Sequence, residues 1–467
     1  MLHRHTALYA LARGLPGLLA FLTVALYTRL LTPAQYGTYA LVMALAMFGN
    51  ALLFWWLKSS ILRYYPTSRR EDVLSTAVYF YYALSLGLIS LAIALFIALP
   101  GPSGLLAALA SLIAISLGLF EATIELARAQ LKPKLYGILS ITRAVLAPIF
   151  TVVLINLGLG TPSPLIGVLL ATLISSAAGA KHLWLRFRPR LLPSTVPLIL
   201  QYGLPLGLTY LLSYVVGYTD RFMIAYFLGE APTGVYAASY DLAFNSINML
   251  SWVIGLASVP LILSSYEKKG AGSARVRLRY NFRLLSFVLI PATIAVWLYA
   301  PELTKFLLAD EFQKGADLIL ALTAIGATLH GFRNLHFDIA FQIARKTRYQ
   351  AYSMGIAALI NILLNLLAIP HWGLLGAAAV TTASYLTALA ASYIWSRRIW
   401  RVPVDGKAAT CMGLIAAASL YSTHWLMTLI MKASYSWIVG LVLGVGLYLA
   451  VCSILTKGEL RKLLTGE

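Results

Sequence analysis

The stretch LSTAVYFYYALSLGLISLAIALFIAL, residues 74–99, contains no charged side chain. A helix rises about 1.5 Å per residue, so about 20 apolar residues cross a hydrocarbon core of about 30 Å. Similar runs recur down the chain, which is 60% hydrophobic and only 11% charged. A soluble domain needs far more charge on its surface. The sequence therefore predicts an all-α integral membrane protein.

Fourteen apolar runs are long enough to span a bilayer. The predicted spans are residues 7–31, 38–61, 74–99, 104–130, 136–159, 164–184, 197–228, 233–264, 278–300, 315–343, 349–369, 374–396, 407–430 and 435–456. No small-residue cleavage site follows the first run, so it is predicted to be a retained helix and not a signal peptide.

The net charge of +20 follows this map and does not indicate a nucleic-acid partner. With the N-terminus inside, 29 of the 36 basic residues fall in inner segments and four in outer ones. Lysine and arginine collect in cytoplasmic loops of membrane proteins. We therefore expect a multi-pass protein of the inner (cytoplasmic) membrane, with both termini cytoplasmic.

The chain also repeats itself. Residues 31–40 and 228–237 share Gly, Tyr and Ala at a shift of 197, and residues 128–143 resemble 341–356. Parallel repeats of this kind are related by an axis along the membrane normal. The prediction is two pseudo-symmetric six-helix bundles around a central cavity, followed by two more spans. The corresponding domains are residues 1–190, 191–401 and 402–467.

Three motifs resemble the polysaccharide-export flippases of the multidrug/oligosaccharidyl-lipid/polysaccharide (MOP) superfamily. The family's R-L-L-T-P-x-x-Y-G-x-Y turn is matched by residues 29–39, and its Y-G-x-P-L opening of span 7 by residues 202–206. Its D-R-F-x-I-x-x-F-L-G-x-x-x-x-G-x-Y segment is matched by residues 220–236. The number of fourteen spans also resembles that of the lipid II flippases, whereas many sugar flippases have twelve. Both branches of the superfamily, the lipid II flippases and the sugar flippases, therefore stay open.

This resemblance implies a flippase that moves a polyprenyl-diphosphate-linked oligosaccharide to the outer leaflet by alternating access, for cell-surface polysaccharide biosynthesis. It implies no catalysis, cofactor or resident metal. The implied partners are the lipid bilayer, the lipid-linked glycan and, as a further candidate, a polysaccharide polymerase.

A diphosphate needs cations, and arginine and lysine satisfy phosphate oxygens. Buried charge in a membrane is costly, so intramembrane ionisable residues are functional candidates. The candidate diphosphate ligands are Arg221, Arg333, Arg13, Lys58 and Arg63.

A sugar chain needs polar and aromatic walls, and two predicted spans supply them at helical spacing. The candidate cavity-lining residues are Tyr210, Tyr214 and Tyr218 of span 7 and Asn245, Asn248 and Trp252 of span 8. Packing of these side chains is the competing interpretation.

Several carboxylates lie in or beside spans and are predicted to form charge pairs or to couple transport to H⁺ or Na⁺. They are Asp220, Asp241, Glu121, Glu125 and Asp338. Arg221–Asp241 and Arg143–Glu125 are the predicted pairs, and Glu125 corresponds to Asp338 in the repeat.

Two other functions stay open. An ion-coupled multidrug or metabolite exporter of the same superfamily often has a carboxylate in its first span, which is absent from residues 7–31 here. A membrane-embedded polymerase or glycosyltransferase usually displays large outer loops. The longest outer stretch here, residues 301–314, is short, and no G-x-x-x-x-G-K-[ST] phosphate loop is present.

Overall fold

The computed structural model describes residues 2–65, 67, 69–184, 187–430 and 436–455, with side chains for all of these except 2–14, 181, 182 and 455. Within these ranges every regular element is helical. The helices are α1 (Leu2–Leu30), α2 (Pro33–Leu53), α3 (Trp55–Tyr64), α4 (Arg70–Ala98), α5 (Pro102–Ala129), α6 (Pro133–Asn156), α7 (Ser163–Leu183), α8 (Val196–Leu228), α9 (Glu230–Leu298), α10 (Ala300–Leu307), α11 (Ala316–Phe332), α12 (Ile339–Ile343), α13 (Arg348–Ile399), α14 (Gly406–Ile430) and α15 (Ser436–Leu455). A 3₁₀ turn (Asp310–Phe312) follows α10, and a π-helix (Arg333–Phe337) joins α11 to α12.

Eleven helices in the described ranges are long and apolar enough to cross a membrane. Two of them, α9 and α13, each contain a non-helical glycine, Gly270 and Gly373, where two arms meet. Both glycines have positive φ, which a side chain would strain. The two arms of α9 and of α13 are separate spans, which raises the number from eleven to thirteen. The fourteenth span is α1, whose described apolar part is Leu15–Leu30, so the total equals the fourteen predicted spans. The prediction of an all-α membrane protein is confirmed.

Two predicted spans are not continuous α-helices. The run 38–61 breaks at Phe54 (φ −117°, ψ −19°) into α2 and α3. Phe54 is 2% exposed and its ring stacks on Tyr81 at a centroid distance of 4.6 Å. The run 315–343 is interrupted by the π-helix. At Phe54 the side chains stay apolar across the break, so the hydropathy pattern gives no sign of it. The π-helix instead carries polar residues, Arg333, Asn334 and His336, and their presence does not by itself indicate a change from α to π geometry.

The chain forms two compact units. Unit 1 comprises Met1–Ala238 and Met354–Gly373, and unit 2 comprises Ser239–Ser353 and Leu374–Glu467. The domain boundaries at 190/191 and 401/402 stay predictions.

Gly37 and Gly234 occupy equivalent positions of the repeated turn in unit 1. A Cβ on Gly37 of α2 would collide with the backbone carbonyl of Glu230, and a Cβ on Gly234 of α9 would collide with that of Pro33. Gly234 and Glu230 lie 197 positions after Gly37 and Pro33, so the two contacts are equivalent. The two repeats therefore touch through the same backbone positions. Glycine is needed at both positions because the two backbones lie in direct contact.

In unit 2 the last two helices dock on the second arm of α9. The Tyr448 hydroxyl of α15 donates to the Phe287 carbonyl at 3.0 Å. Gly444 of α15 lies against Thr423 and Leu420 of α14, where a Cβ would be crowded. The predicted extra pair of spans is thus an integral part of this unit.

Candidate functional site

The first part of the candidate site is an ion pair in unit 1. Lys58 Nζ of α3 lies 2.8 Å from Glu121 Oε2 of α5, with the side chains 12% and 22% exposed. The same ammonium lies 3.1 Å from the centroid of the Trp55 ring. The Tyr210 ring of α8 packs on Trp55 at 3.9 Å. Lys58 is therefore held by a carboxylate and an aromatic face while staying partly accessible.

Further along α8, the tyrosines lead to a buried arginine. The rings of Tyr214 and Tyr218 stack at 5.3 Å, and the guanidinium carbon of Arg221 lies 4.6 Å from the Tyr218 centroid. Arg221 is 2% exposed. Asp220 is fully buried, accepts the backbone N–H of Arg221, and accepts a short hydrogen bond from the Tyr236 hydroxyl of α9. Asp220 thereby joins α8, the helix that carries Arg221, to α9.

Arg143 is a cation of this region that the predicted ligand set omits. Its Nε donates to Thr172 Oγ1 of α7 at 3.2 Å, and its guanidinium carbon lies 5.1 Å from the Phe120 centroid. Within the described ranges no carboxylate forms an ion pair with Arg143. The predicted Arg143–Glu125 pair is wrong, because Glu125 pairs instead with Arg128 of its own helix at 3.4 Å. The sequence places Arg143 and Glu125 at similar predicted depths in the membrane. This pairing left Arg143 out of the predicted diphosphate ligands.

These contacts connect into one cluster, which we call the unit 1 track. Phe120, whose ring faces Arg143, is followed on α5 by Glu121, the partner of Lys58. The contact of Tyr210 with Trp55 joins this region to the tyrosines of α8. The track consists of Trp55, Lys58, Glu121, Arg143, Tyr210, Tyr214, Tyr218 and Arg221. Three cations therefore alternate with aromatic rings.

The counterpart in unit 2 is more deeply buried. Arg333 Nη2 and Asp338 Oδ2 lie 3.7 Å apart, with the side chains 3% and 2% exposed. The π-helix sets this spacing, because its i→i+5 turn brings residues 333 and 338 together. Ser392 Oγ donates to Asp338 Oδ1 at 2.8 Å, and Gln350 Nε2 donates to the Asp338 carbonyl at 3.0 Å. His330 of α11 lies with its ring 5.2 Å from the Tyr385 ring.

The other predicted residues occupy more open positions. Asn245 is exposed, and Asp241, Asn248 and Trp252 are half-buried in unit 2. The proposed Arg221–Asp241 pair joins residues of different units and stays a prediction. Arg63 is exposed with its guanidinium 5.7 Å from the Tyr202 ring, and the side chain of Arg13 lies outside the described residues.

Comparison with known proteins gives two sequence matches. Residues 26–317 match the family described as "Polysaccharide biosynthesis protein". An uncharacterized membrane protein of Methanocaldococcus jannaschii is 26% identical over 207 residues, which cover 43% of this chain and 38% of that protein. The match thus spans well under half the length of this relative.

Solved structures extend the likeness to nearly the whole chain. The lipid II flippase MurJ in its inward closed conformation superposes with a TM-score of 0.79 at 14% identity, covering 97% of this chain and all of that one. An inward-facing multidrug resistance MATE family transporter of the MOP superfamily gives 0.61 at 16% identity, covering 84% and 94%. A MOP superfamily transporter from Pyrococcus furiosus gives 0.58 at 14% identity, covering 85% and 94%. At these identities the likeness establishes the fold.

Proposed function

Because the chain belongs to the polysaccharide biosynthesis protein family of the MOP superfamily, we propose that it flips a polyprenyl-diphosphate-linked oligosaccharide across the membrane. The transport runs from the cytoplasmic to the outer leaflet by alternating access and serves cell-surface polysaccharide biosynthesis. The protein carries its cargo without chemical change and therefore acts as a transporter and not as an enzyme.

The observation that carries this proposal is the unit 1 track. A diphosphate headgroup needs several cations, and the track holds Lys58, Arg143 and Arg221. A sugar chain needs surfaces that it can slide along, and tyrosine rings offer flat apolar faces with a polar tip. Cations and rings alternate in the track, which suits a cargo that combines both chemistries.

The positions of the three cations give the order in which they contact the diphosphate. Lys58 is held by Glu121, and an entering phosphate oxygen takes the place of one carboxylate contact. Arg143 lacks a carboxylate partner among the described residues and supplies the next charge-assisted hydrogen bonds. Tyr210 and Arg221 are eleven residues apart on α8, about 16 Å along the helix axis. The track therefore offers successive phosphate sites through about half of a membrane.

Unit 2 contributes the remaining predicted groups. Arg333 is a further candidate phosphate ligand, and Asn245, Asn248 and Trp252 are candidate sugar contacts. Protonation of Asp338 would release Arg333 from its ion pair, which makes this pair our candidate for coupling to H⁺ or Na⁺. A polysaccharide polymerase is the proposed protein partner.

The proposed membrane is the inner (cytoplasmic) one, with both termini cytoplasmic. The accumulation of basic residues in alternate loops supports this orientation.

The alternative function is ion-coupled export of a small molecule, which the fold likeness to MATE transporters favours. Against it, α1 contains no carboxylate.

Reconstitution in proteoliposomes separates the two functions. A fluorescent polyprenyl-diphosphate oligosaccharide is placed in both leaflets, and an impermeant reagent quenches the outer one. We expect quenching to approach completion only with the protein present, and to slow with Arg143→Gln or Arg221→Gln but not with Lys269→Gln, which changes an exposed residue of α9. Protein-dependent transport of a small cationic dye without lipid flipping would overturn the proposal in favour of export.

A further inference from the structure

Unit 2 has a pocket of about 610 Å³ that the transport proposal does not use. Two arginines come from the second arm of α9, one comes from the end of α13 and one from the linker between α13 and α14. The lining residues are Arg275, Arg279, Tyr393, Arg397, Arg401, Val402, Pro403 and Val404. Residues more than a hundred positions apart in the chain thus bring four guanidinium groups to one cavity.

These four charges have no carboxylate partner among the described residues. The nearby Asp405 is engaged elsewhere, because Arg283 Nε lies 2.7 Å from its Oδ2. Burial raises the pKa of Asp405, but the hydrogen bonds from Arg283 and from the Ala408 N–H, with the charges of Arg283 and Arg279, lower it below its usual value overall. The pocket therefore lies in a strongly positive field, and the nearby Asp405 is already bound to Arg283.

The walls of the pocket are held in place. Val402 is 5% exposed within an apolar cluster that includes Leu278 and Phe337. The Pro403 carbonyl lies 3.0 Å from His336 Nε2 of the π-helix. A linker held by both contacts keeps its geometry before any ligand arrives, which lowers the entropic cost of binding.

Aromatic rings orient two of the arginines. The guanidinium carbon of Arg275 lies 5.6 Å from the Trp400 ring, and that of Arg397 lies 5.6 Å from the Tyr393 ring. Arg397 also donates through Nη1 to the Tyr393 hydroxyl at 3.4 Å. A guanidinium has five N–H donors, so one such bond leaves the others to bind phosphate oxygens.

We propose that this arginine pocket is an anion site, separate from the transport path, that binds the phosphate group of an anionic lipid or of a soluble diphosphate. Both ligands share the chemistry that four guanidinium groups recognise, and basic pockets at membrane surfaces bind such headgroups. A volume of about 610 Å³ admits two phosphates rather than one small ion.

Binding is measured on the full-length protein in detergent by native mass spectrometry, with cardiolipin titrated against phosphatidylcholine. We expect cardiolipin to be retained preferentially. In the double variant Arg279→Gln/Arg401→Gln its affinity should fall by about tenfold for each arginine removed. The matched control is Lys268→Gln/Lys269→Gln, which removes the same charge from exposed positions of the same segment outside the pocket lining and should keep its affinity.

Inorganic diphosphate is then added to the cardiolipin-bound protein to identify the source of the ligand. Displacement at micromolar concentration supports the site and assigns it to soluble diphosphates, whereas retention of the lipid supports the site and assigns it to headgroups. An equal loss in both double variants, or no loss in either, overturns the proposal, because general charge attraction would then explain the binding. These measurements do not depend on flipping, so they stand or fall separately from the transport proposal.

Discussion

The two units contain the same kinds of residues, but their ion pairs differ in exposure. In unit 1, Lys58 and Arg143 lie beside aromatic rings, and the Lys58–Glu121 pair stays partly accessible. In unit 2, Arg333 and Asp338 are almost completely buried, and Ser392 binds the carboxylate from the other side. A cation that is partly open beside rings can exchange its partner for a ligand, whereas an ion pair that is almost completely buried exchanges its partner less readily.

This comparison makes unit 1 the main site of diphosphate binding. The Arg333–Asp338 pair of unit 2 is then a structural pair and the candidate for ion coupling, with Arg333 at most a secondary ligand. The predictions that follow test this division in order of decreasing effect.

The largest effect is expected when the buried pair is broken. Asp338→Ala leaves the charge of Arg333 buried without a counter-ion, which should lower the free energy of unfolding by about 3–5 kcal/mol. Glu121→Ala should cost clearly less, because Lys58 keeps Trp55 and access to solvent. Thermal unfolding in one detergent measures both, and equal losses would contradict the division between units.

The next effect concerns transport. Removing one guanidinium by Arg143→Gln or Arg221→Gln should lose a charge-assisted interaction of about 1.5–3 kcal/mol and slow flipping ten- to hundredfold. The unit 2 double variant Arg333→Met/Asp338→Leu removes both charges together and should change the rate far less. The quenching assay in proteoliposomes compares them. If the double variant is as slow as Arg143→Gln, Arg333 contributes to phosphate binding as much as Arg143 does.

A third effect tests the symmetry within unit 1. Gly37→Ala and Gly234→Ala each place a methyl group against the backbone of the other repeat, and crowding of this kind costs about 1–3 kcal/mol. We expect the two variants to lose equal stability, because the collisions are equivalent. Gly87→Ala is the control, since an added methyl group at this helical position would meet open space. Unequal losses would show that the two repeats do not share the contact evenly.

The smallest effect comes from the tyrosine stack. Tyr214→Phe keeps the ring that packs on Tyr218 and removes only a hydroxyl, worth about 0.5–1.5 kcal/mol. We expect flipping to slow by less than about tenfold, whereas Tyr214→Ala should slow it further by removing the ring. If Phe and Ala behave alike, the hydroxyl and not the aromatic face contacts the cargo.

The sequence predicts the membrane fold and the position of most spans, because charge-free runs and basic loops are direct consequences of the bilayer. The repeated Gly-x-Tyr-Ala motif also located Gly37 and Gly234, although their mutual contact needed the fold. The break at Phe54 could not be predicted, since apolar residues continue across it. The polar residues at 333–338 do not distinguish a π-helix from an α-helix, so the π-helix could not be predicted either.

The candidate site was predictable only in part. Tyr210, Tyr214, Tyr218 and Arg221 share a helix, so their spacing groups them on one face, and three of the four lie in ring contacts of the track. The partner of an ion pair depends on neighbouring helices, which a single sequence does not specify. The predicted ion-pair partner of Glu125 was therefore wrong, and Arg143 was not among the predicted phosphate ligands.

The central claim is that the unit 1 cations bind the diphosphate. Its most direct test is equilibrium binding of a polyprenyl-diphosphate oligosaccharide and of its monophosphate analogue to the wild type, to Arg143→Gln and to Arg333→Met/Asp338→Leu. The account predicts a preference for the diphosphate of about tenfold or more in the wild type, retained in the unit 2 variant and lost in Arg143→Gln. Loss of the preference in the unit 2 variant alone would contradict it.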